Sequence, residues 1–240
     1  MTAGSYAPIA VALDAPSRET LGAWARAVAP VVSTVKIGLE VFCRDGAAAV
    51  TTARAAAAEA DHGDIDVFLD LKLHDIPATV RGAARAVAPL TPTYLTVHAA
   101  GGSEMIAAAV EALPDCRITA VTVLTSLDDS SLDRIGLRGP SLRAAVRLAT
   151  LAVDAGARAI VCSPREVAAI RAAVPSDIVL ITPGVRPAGS SSDDQKRVAT
   201  PAQAISDGAD LLVVGRPITG ADDPRQAAQS IAADVRDPAS

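Results

Sequence analysis

The fold of this 240-residue chain follows from one stretch of its sequence, IDVFLDLKLHDIPATV at residues 65–80. The stretch opens with a nearly continuous apolar run, Val67–Leu71, and passes through charged residues into an alanine-rich segment of helical period, Ala78–Ala88. A continuous apolar run, as opposed to an alternating one, is typical of a strand in a parallel sheet that is buried on both faces. The stretch therefore predicts a strand, a polar turn and a helix, which together form one βα unit.

The same βα unit recurs along the whole chain. Strands are predicted at Ile9–Leu13, Thr34–Gly38, Val67–Leu71, Tyr94–Val97, Ile118–Val123, Ala159–Cys162, Ile178–Ile181 and Leu211–Val214. Helices are predicted at Arg18–Val28, Gly46–Ala60, Ala78–Ala88, Ser103–Ala112, Ser141–Ala155, Arg165–Ala173, Pro201–Ser206 and Pro224–Val235. Eight strands, each followed by a helix, predict a single-domain α/β fold, a (β/α)8 TIM barrel over residues 1–240. A doubly wound open sheet also fits a βα repeat, but the number of units and the chain length favour the barrel.

The sequence also predicts where some helices begin and end, and it contains one long loop. Ser17 is a predicted N-cap of the first helix, and Gly156 and Gly208 lie where helices close before strands, positions that favour a left-handed glycine. The segment Gly184–Thr200 is long, polar and rich in serine. Loops of that length in a compact domain often serve as active-site lids, so residues 184–200 are predicted to form one.

Composition excludes several classes of function. The 22 Lys+Arg and 27 Asp+Glu residues give a formal net charge of −5, which disfavours nucleic acid and anionic membranes as partners, because both attract basic surfaces. The chain shows no long apolar run and no signal-peptide pattern, so we expect a cytoplasmic protein. Cys43, Cys116 and Cys162 are scattered, which indicates neither a disulfide framework nor a zinc site.

In a (β/α)8 barrel the active site lies at the C-terminal ends of the strands. Polar residues collect at those ends in this sequence, and their clustering is the main functional signal that the residues carry by themselves. They are Asp14 after the first strand, Lys36 in the second, Asp70–Asp75 at the third, His98 at the fourth, Thr125 and Ser126 at the fifth, Pro183–Arg186 at the seventh, and Gly215 and Arg216 at the eighth.

The third strand carries the residues best suited to catalysis. Asp70 and Lys72 are two residues apart, so on a regular strand both side chains point to the same face, and Lys36 of the neighbouring strand extends an alternating chain of charges. A structural ion pair is the alternative, but only three of the 22 basic residues are lysines, and two of them lie at this mouth. A lysine among carboxylates stays protonated, so Lys72 is predicted to be a general acid that protonates a carbanion.

The eighth strand indicates a phosphate site. Loops after the seventh and eighth barrel strands commonly bind phosphate. Glycine lets the backbone come close to the phosphate, and an arginine side chain can donate two parallel hydrogen bonds to its oxygens. Gly215-Arg216 alone is a weak motif, but it lies opposite a polar lid that carries Arg186, Gln195 and Lys196. The sequence therefore predicts a small phosphorylated substrate. His98 is interpreted as a hydrogen-bonding scaffold residue in preference to a base or a metal ligand.

The segment Phe68–Val80, FLDLKLHDIPATV, closely resembles the signature of the orotidine 5′-phosphate decarboxylase family. Shorter similarities follow in order at Ala12–Asp14, Val35–Gly38, Thr96–Ala99, Val123–Leu127, Thr182–Pro187 and Val214–Ile218. The similarity extends from Ile9 to about residue 235, nearly the whole chain. The DxKxHDIPxTV pattern is specific, whereas the GRPI segment alone would not be.

The resemblance implies a carboxy-lyase that converts orotidine 5′-monophosphate to UMP, the last step of de novo pyrimidine synthesis, without a cofactor or a metal. It implies that Lys72 protonates C6 of the pyrimidine, that Asp70 lies beside the departing carboxylate, and that Lys36 and Asp75 join them in catalysis. It places Asp14 and Lys36 at the ribose, Thr125 and Ser126 at the pyrimidine edge, and Ile76 and Pro183 in further contact with the substrate. It implies a homodimer with shared sites, in which Asp75 and Thr79 reach the partner's site. It assigns Arg186, Gly215 and Arg216 to the phosphate and lid, and Gln195 to the lid, from which it bridges base and phosphate.

Two alternatives remain at this point. A metal-dependent keto-sugar-phosphate decarboxylase or hexulose-phosphate synthase on the same scaffold also uses an Asp-x-Lys-x-x-Asp strand, but the segment His74–Pro77 and the Gln195 lid favour orotidylate. A catalytically silent nucleotide-binding protein is the other alternative, and the intact Asp70 and Lys72 argue against it.

Overall fold

A computed structural model describes residues 6–186 and 199–236 and contains one closed barrel of eight parallel strands. Each strand pairs with the next along the chain, and the eighth closes onto the first. The strands are β1 (Ala7–Ala12), β2 (Val32–Gly38), β3 (Asp66–Leu73), β4 (Tyr94–His98), β5 (Arg117–Val121), β6 (Ala159–Val161), β7 (Val179–Pro183) and β8 (Leu211–Val214). The (β/α)8 prediction is confirmed, and the doubly wound alternative is wrong.

Helices surround the barrel and follow the strands in alternation. They are α1 (Arg18–Val28), α2 (Leu39–Asp45), α3 (Ala47–Ala58), α4 (Pro77–Val87), α5 (Ser103–Ala112), α6 (Asp129–Arg134), α7 (Ser141–Asp154), α8 (Val167–Arg171), α9 (Pro201–Ser206), α10 (Arg216–Thr219) and α11 (Pro224–Arg236). None of the helices in the described part of the chain is long and apolar enough to cross a membrane.

The helix predictions were wrong mainly where helices are short. α2, α6 and α10 were not predicted, because four to seven residues carry too little periodicity to distinguish a helix from a loop. The predicted helix Gly46–Ala60 begins one residue later, since Gly46 has φ +58° and separates α2 from α3. A left-handed residue cannot continue a helix, and glycine adopts that conformation without steric cost. The predicted helix Arg165–Ala173 is a short 3-10 turn followed by α8.

Two local predictions about helix ends are confirmed. The Ser17 side chain accepts a hydrogen bond from the backbone N–H of Thr20 at 3.1 Å and caps α1. Gly156 and Gly208 have φ +95° and +104°, the left-handed backbone expected where a helix closes just before a strand. Both glycines lie at the end of the barrel opposite to the strand ends that carry the polar residues.

The core has two layers, one inside the barrel and one between the strands and the helices. The inner cluster is built from Ala10, Phe68, Tyr94, Ala159, Ile181 and Leu211. Phe68 is 1% exposed, and its ring packs against that of Tyr94 with centroids 5.6 Å apart. Burying a side chain of this size stabilises a fold by about 1.5–3 kcal/mol. The inner cluster fills the middle of the barrel, so the barrel is a packed core and not a pore.

Strand register is irregular at two places, and one of them shapes the site. β1 and β2 shift between Ala7 and Ala10, at the start of the strands. β3 and β4 shift between Leu69 and Leu73: Leu69 pairs with Leu95, but Leu73 pairs with Val97. Three residues of β3 thus lie opposite a single residue of β4. Such a bulge locally breaks the ladder of hydrogen bonds and bends the strand.

Candidate active site

A cavity of about 530 Å³ opens at the C-terminal end of the barrel. Clefts of this size hold small-molecule substrates. Nine of the residues predicted from the sequence line it: Asp14, Lys36, Asp70, Lys72, Thr125, Pro183, Arg186, Gly215 and Arg216. The structure therefore brings together residues from β2 and β3 and from the loops after β1, β5, β7 and β8 at one mouth.

One wall of the cavity holds an alternating chain of charges. Lys72 Nζ lies 2.7 Å from Asp70 Oδ1, and Lys36 Nζ lies 3.3 Å from Asp70 Oδ2. Lys36 Nζ also lies 3.8 Å from Asp14 Oδ1, which extends the chain by one more charge. Each group of the chain thus has a neighbour of opposite sign, and Lys36 and Asp70 in the middle have two. The order Asp14, Lys36, Asp70, Lys72 is the one expected from the sequence.

Asp70 is at the centre of this chain, and its surroundings hold it ionised. Burial raises the pKa of the Asp70 carboxyl, but the charges of Lys36 and Lys72 and their hydrogen bonds outweigh that effect, so the pKa lies below its ordinary value. The Asp70 side chain is only 14% exposed. A buried carboxylate of this kind persists because two ammonium groups replace its lost hydration. Asp70 therefore presents a fixed negative charge to the cavity.

The position of Lys72 has a different cause from the one that the sequence suggested. A regular strand was expected to place Asp70 and Lys72 on one face, but both residues lie in the bulge of β3, and Lys72 has φ +50°. A left-handed lysine is uncommon and indicates strain that the surrounding structure must hold. Its backbone N–H is bonded to the side-chain oxygen of Thr96 at 2.8 Å. The contact between Asp70 and Lys72 is present, but the reason that was given for it is wrong.

A further wall of the cavity, called here the anion wall, is built from the ends of β7 and β8. Pro183, Gly184, Val185 and Arg186 line it from one side. Gly215 is the N-cap of α10, and Arg216 is the first residue of that helix. Helix N-termini and arginine side chains both attract phosphate oxygens. The anion wall therefore has the character of an anion site.

The backbone N–H of Arg186 donates a hydrogen bond to the carbonyl oxygen of Ala199 at 3.0 Å. This bond joins the two described ends of the predicted lid, residues 184–200. Residues 187–198 of that segment, including Gln195 and Lys196, lie outside the described residues. The lid remains a prediction.

Comparison with known proteins decides the family. Residues 7–231 match the model of the family described as "Orotidine 5′-phosphate decarboxylase / HUMPS family". This chain belongs to the orotidine 5′-phosphate decarboxylase / HUMPS family. The family resemblance that was inferred from Phe68–Val80 is confirmed.

Several relatives of this chain carry the first of the two names in the family description. The orotidine 5′-phosphate decarboxylase of Thermobifida fusca (strain YX) is 62% identical over 230 residues, which cover 96% of this chain and 96% of the relative. That of Frankia casuarinae is 58% identical over 238 residues, which cover 95% and 87%.

A solved structure agrees with these sequence relatives. The crystal structure of orotidine 5′-phosphate decarboxylase from Lactobacillus acidophilus superposes with a TM-score of 0.79 at 35% identity, and covers 95% of this chain and 99% of that one.

Four residues that the decarboxylase resemblance assigned to substrate binding do not line the cavity. Asp75, Ile76 and Thr79 are exposed around the start of α4, and Ile76 is 66% exposed. Their place outside the cavity agrees with the predicted reach into a partner subunit, which stays a prediction. Ser126 is exposed beside Thr125 and is also absent from the cavity lining.

Sequence reasoning missed some residues of the site. Apolar side chains from β5 and β6 and the turns after them, Val121, Val123 and Cys162 among them, line the cavity between the charged wall and the anion wall. Thr96 contacts both Asp70 and Lys72 from β4. A threonine in the middle of a buried apolar strand was a signal for Thr96, because a buried hydroxyl needs a hydrogen-bond partner.

His98 is a neighbour of the charged wall and does not line the cavity. Its ring lies 5.2 Å from that of His74, centroid to centroid. Burial, followed by the nearby charges of His74 and Lys72, lowers the pKa of His98, so the ring favours its neutral form. Within residues 6–186 and 199–236 no three His, Cys, Asp or Glu side chains form a cluster that could hold a metal ion.

Proposed function

We propose that this chain catalyses the cofactor-independent decarboxylation of orotidine 5′-monophosphate to UMP. The observation that carries the proposal is the chain of charges Lys36–Asp70–Lys72 on one wall of a cavity whose anion wall carries Gly215 and Arg216. A nucleoside monophosphate with a reacting carboxylate has the matching polarity, with its phosphate remote from its reacting end. Relatives that are 62% and 58% identical and are named orotidine 5′-phosphate decarboxylase support it.

The reaction needs one group that stabilises a carbanion and then protonates it. The C–C bond between C6 of the pyrimidine and its carboxylate breaks, CO2 leaves, and the electron pair remains at C6. The Lys72 ammonium stabilises that charge without solvent reorganisation and transfers a proton to C6. The new C6–H bond completes UMP, and the neutral amine regains its proton from solvent before the next turnover.

Asp70 has two roles in this proposal. It holds the Lys72 ammonium at 2.7 Å and so fixes the direction from which the proton arrives. It also places a negative charge beside the carboxylate of the substrate, which CO2 release relieves. Lys36 binds the other carboxylate oxygen of Asp70 and, with Asp14, faces the ribose. The chain of charges thus positions both the sugar and the reacting carbon.

The anion wall supplies binding energy that the reaction then uses. Arg186, Gly215 and Arg216 are proposed to bind the phosphate, and the predicted lid of residues 184–200, with Gln195, to close over it. Contacts to a remote phosphate can drive closure and alignment of the reacting end. Thr125 and Ser126 are proposed to recognise the pyrimidine edge, and Pro183 to line the cavity beside the substrate.

The test of this function follows the loss of orotidylate absorbance with purified protein, in the presence and absence of EDTA. We expect turnover that EDTA does not change. Abolition by EDTA would favour the metal-dependent alternative, and absence of turnover under both conditions would overturn the proposal.

We also propose that the active form is a homodimer with shared sites. Ile76 and Leu39 are large apolar residues that are 66% and 48% exposed, and Asp75 and Thr79 lie near Ile76 outside the cavity. Contact with a second copy would cover these apolar side chains and bring Asp75 and Thr79 to the partner's cavity.

Subunit exchange tests the shared site. Mixing inactive Asp70→Ala and Asp75→Ala proteins assembles heterodimers in which one site takes Asp70 and Lys72 from one subunit and Asp75 from the other, so activity should return. Mixing Asp70→Ala with Lys72→Ala is the control, because every heterodimer site then keeps one defect. Verified exchange without recovery in the first mixture would contradict shared sites.

A further inference from the structure

The bulge of β3 leaves the backbone of Lys72 outside the regular sheet ladder. Leu69 and Leu73 pair with Leu95 and Val97, and only Thr96 of β4 lies between those two partners. The backbone N–H of Lys72, which has φ +50°, therefore takes a side chain as its acceptor: Thr96 Oγ1 at 2.8 Å. Buried backbone N–H groups need such a partner.

The same hydroxyl reaches the carboxylate of Asp70. Thr96 Oγ1 lies 3.1 Å from Asp70 Oδ1 and 3.5 Å from the carbonyl oxygen of Leu69. A hydroxyl has a single proton to donate, and the nearer, charged oxygen of Asp70 is the stronger acceptor. Since Lys72 Nζ also donates to Asp70 Oδ1, at 2.7 Å, the contacts close into a ring. Lys72 enters this ring twice, through its backbone and through its ammonium group.

We propose that Thr96 is a positioning residue for the decarboxylation, and that its hydroxyl holds the strained backbone of Lys72 and the carboxylate of Asp70 in one fixed arrangement. Thr96 is 0% exposed and does not line the cavity, so it acts through Asp70 and Lys72 and does not touch the substrate. Its donated hydrogen bond also favours the ionised form of Asp70, together with Lys36 and Lys72, which face the same carboxylate.

This inference rests on the proposed function, and isosteric variants test it. Thr96→Val removes the hydroxyl and keeps the shape of the side chain, while Thr96→Ser keeps the hydroxyl. We expect Thr96→Val to lower kcat for orotidylate by about 100-fold, the scale of a small misplacement of catalytic groups, with KM little changed. Thr96→Ser should retain most of the kcat of the wild type.

A matched control comes from the neighbouring strand. Thr119 of β5 pairs in register with Thr96 and is 0% exposed, and its hydroxyl bonds to the carbonyl oxygen of Arg117. Thr119→Val removes a buried hydroxyl from the same barrel without touching Asp70 or Lys72, and should keep kcat. If the three variants lose kcat alike, or if Thr96→Val keeps it while the wild type turns over, the inference is overturned.

A second measurement is independent of turnover. The 13C chemical shift of the Asp70 carboxyl, followed through an NMR titration, reports the pKa of this group in the wild type and in each Thr96 variant. We expect the pKa to be higher in Thr96→Val than in the wild type, and unchanged in Thr96→Ser. Thr96→Ala replaces Thr96→Val if the latter does not fold. An unchanged pKa in the variant without the hydroxyl overturns the inference, even if the wild type proves inactive and the proposed function itself fails.

Discussion

Strands β1–β4 form one half of the barrel and contain both shifts in register, between β1 and β2 and between β3 and β4. Strands β5–β8 pair with each other without a shift. The charged chain from Asp14 to Lys72 belongs to the first half, whereas the second half contributes apolar walls, Thr125 and the anion wall. We call these the charged half and the binding half.

The two halves differ in backbone strain, which lies at the site in the charged half. In the charged half a left-handed residue and a bulge place an ammonium group against a buried carboxylate, an arrangement that a regular strand does not provide. The binding half needs only backbone and side-chain groups at strand ends, which regular strands present well. Strained backbone persists only where the surrounding structure holds it, and it concentrates at functional sites.

Lys72→Ala should have the largest effect of these substitutions. Removing the proposed proton donor, whose charge is proposed to stabilise the carbanion at C6, should lower kcat by about 10⁴-fold or more. UMP should still bind, and the oligomer should stay intact, since Lys72 is not part of the main core. The checks are turnover, calorimetric UMP binding and gel filtration. Activity equal to the wild type would remove Lys72 from the mechanism.

Arg216→Ala tests the binding half. Losing a charge-assisted hydrogen bond to phosphate costs about 1.5–3 kcal/mol of binding free energy. We therefore expect kcat/KM for orotidylate to fall by about 10- to 100-fold. Orotidine without phosphate separates this effect from the chemistry, because wild type and variant should process it equally slowly. Arg225→Ala, at an arginine of α11 away from the cavity, serves as control and should behave as the wild type. If Arg216→Ala lowered kcat/KM for orotidine as much as for orotidylate, Arg216 would not act through the phosphate.

Gly38→Ala should have a smaller effect on the charged half. A Cβ atom at Gly38 would lie 2.7 Å from Asp14 Oδ1 and 3.0 Å from Lys36 Nζ, so both side-chain ends must move. We expect kcat/KM to fall by about tenfold while the melting temperature stays near that of the wild type. Gly63→Ala, whose Cβ would meet only Ala58 at 3.9 Å, is the control. Full activity of Gly38→Ala would show that the spacing of Asp14 and Lys36 does not matter.

The pH dependence of stability sharpens the charge assignment at Asp70. Because the folded pKa of Asp70 is depressed, its contribution to the free energy of unfolding is present above its unfolded pKa and is lost as pH falls through the folded pKa. The difference in stability between the wild type and Asp70→Asn should therefore be constant from about pH 5 to pH 8 and shrink only at lower pH. Urea unfolding across this range measures it. A difference that shrinks already near neutral pH would mean a raised pKa.

Much of the fold and most of the cavity were predictable from sequence. Apolar runs such as Leu211–Val214 located strands, because a strand buried on both faces leaves no room for polar side chains. Three helices, among them Ser103–Ala112, have the predicted bounds. The residues at strand ends followed from the barrel, since parallel strands present their C-terminal ends at one mouth.

The bulge of β3 could not be predicted from the sequence in this way. Alternation along a strand assumes a regular ladder, and nothing in the segment DLKL at Asp70–Leu73 signals that Lys72 is left-handed or that Thr96 holds it. The assignment of Asp75 and Thr79 to a partner's site rests on the resemblance and not on any pattern of spacing, and it stays a prediction.

A crystal structure of the protein with UMP bound tests the division between the two halves most directly. We expect C6 of the base to lie within about 3.5 Å of Lys72 Nζ in the charged half, and the phosphate to contact Gly215 and Arg216 in the binding half. UMP bound the other way round, with its phosphate against Lys36 and Lys72 and its base at Arg216, would contradict this division.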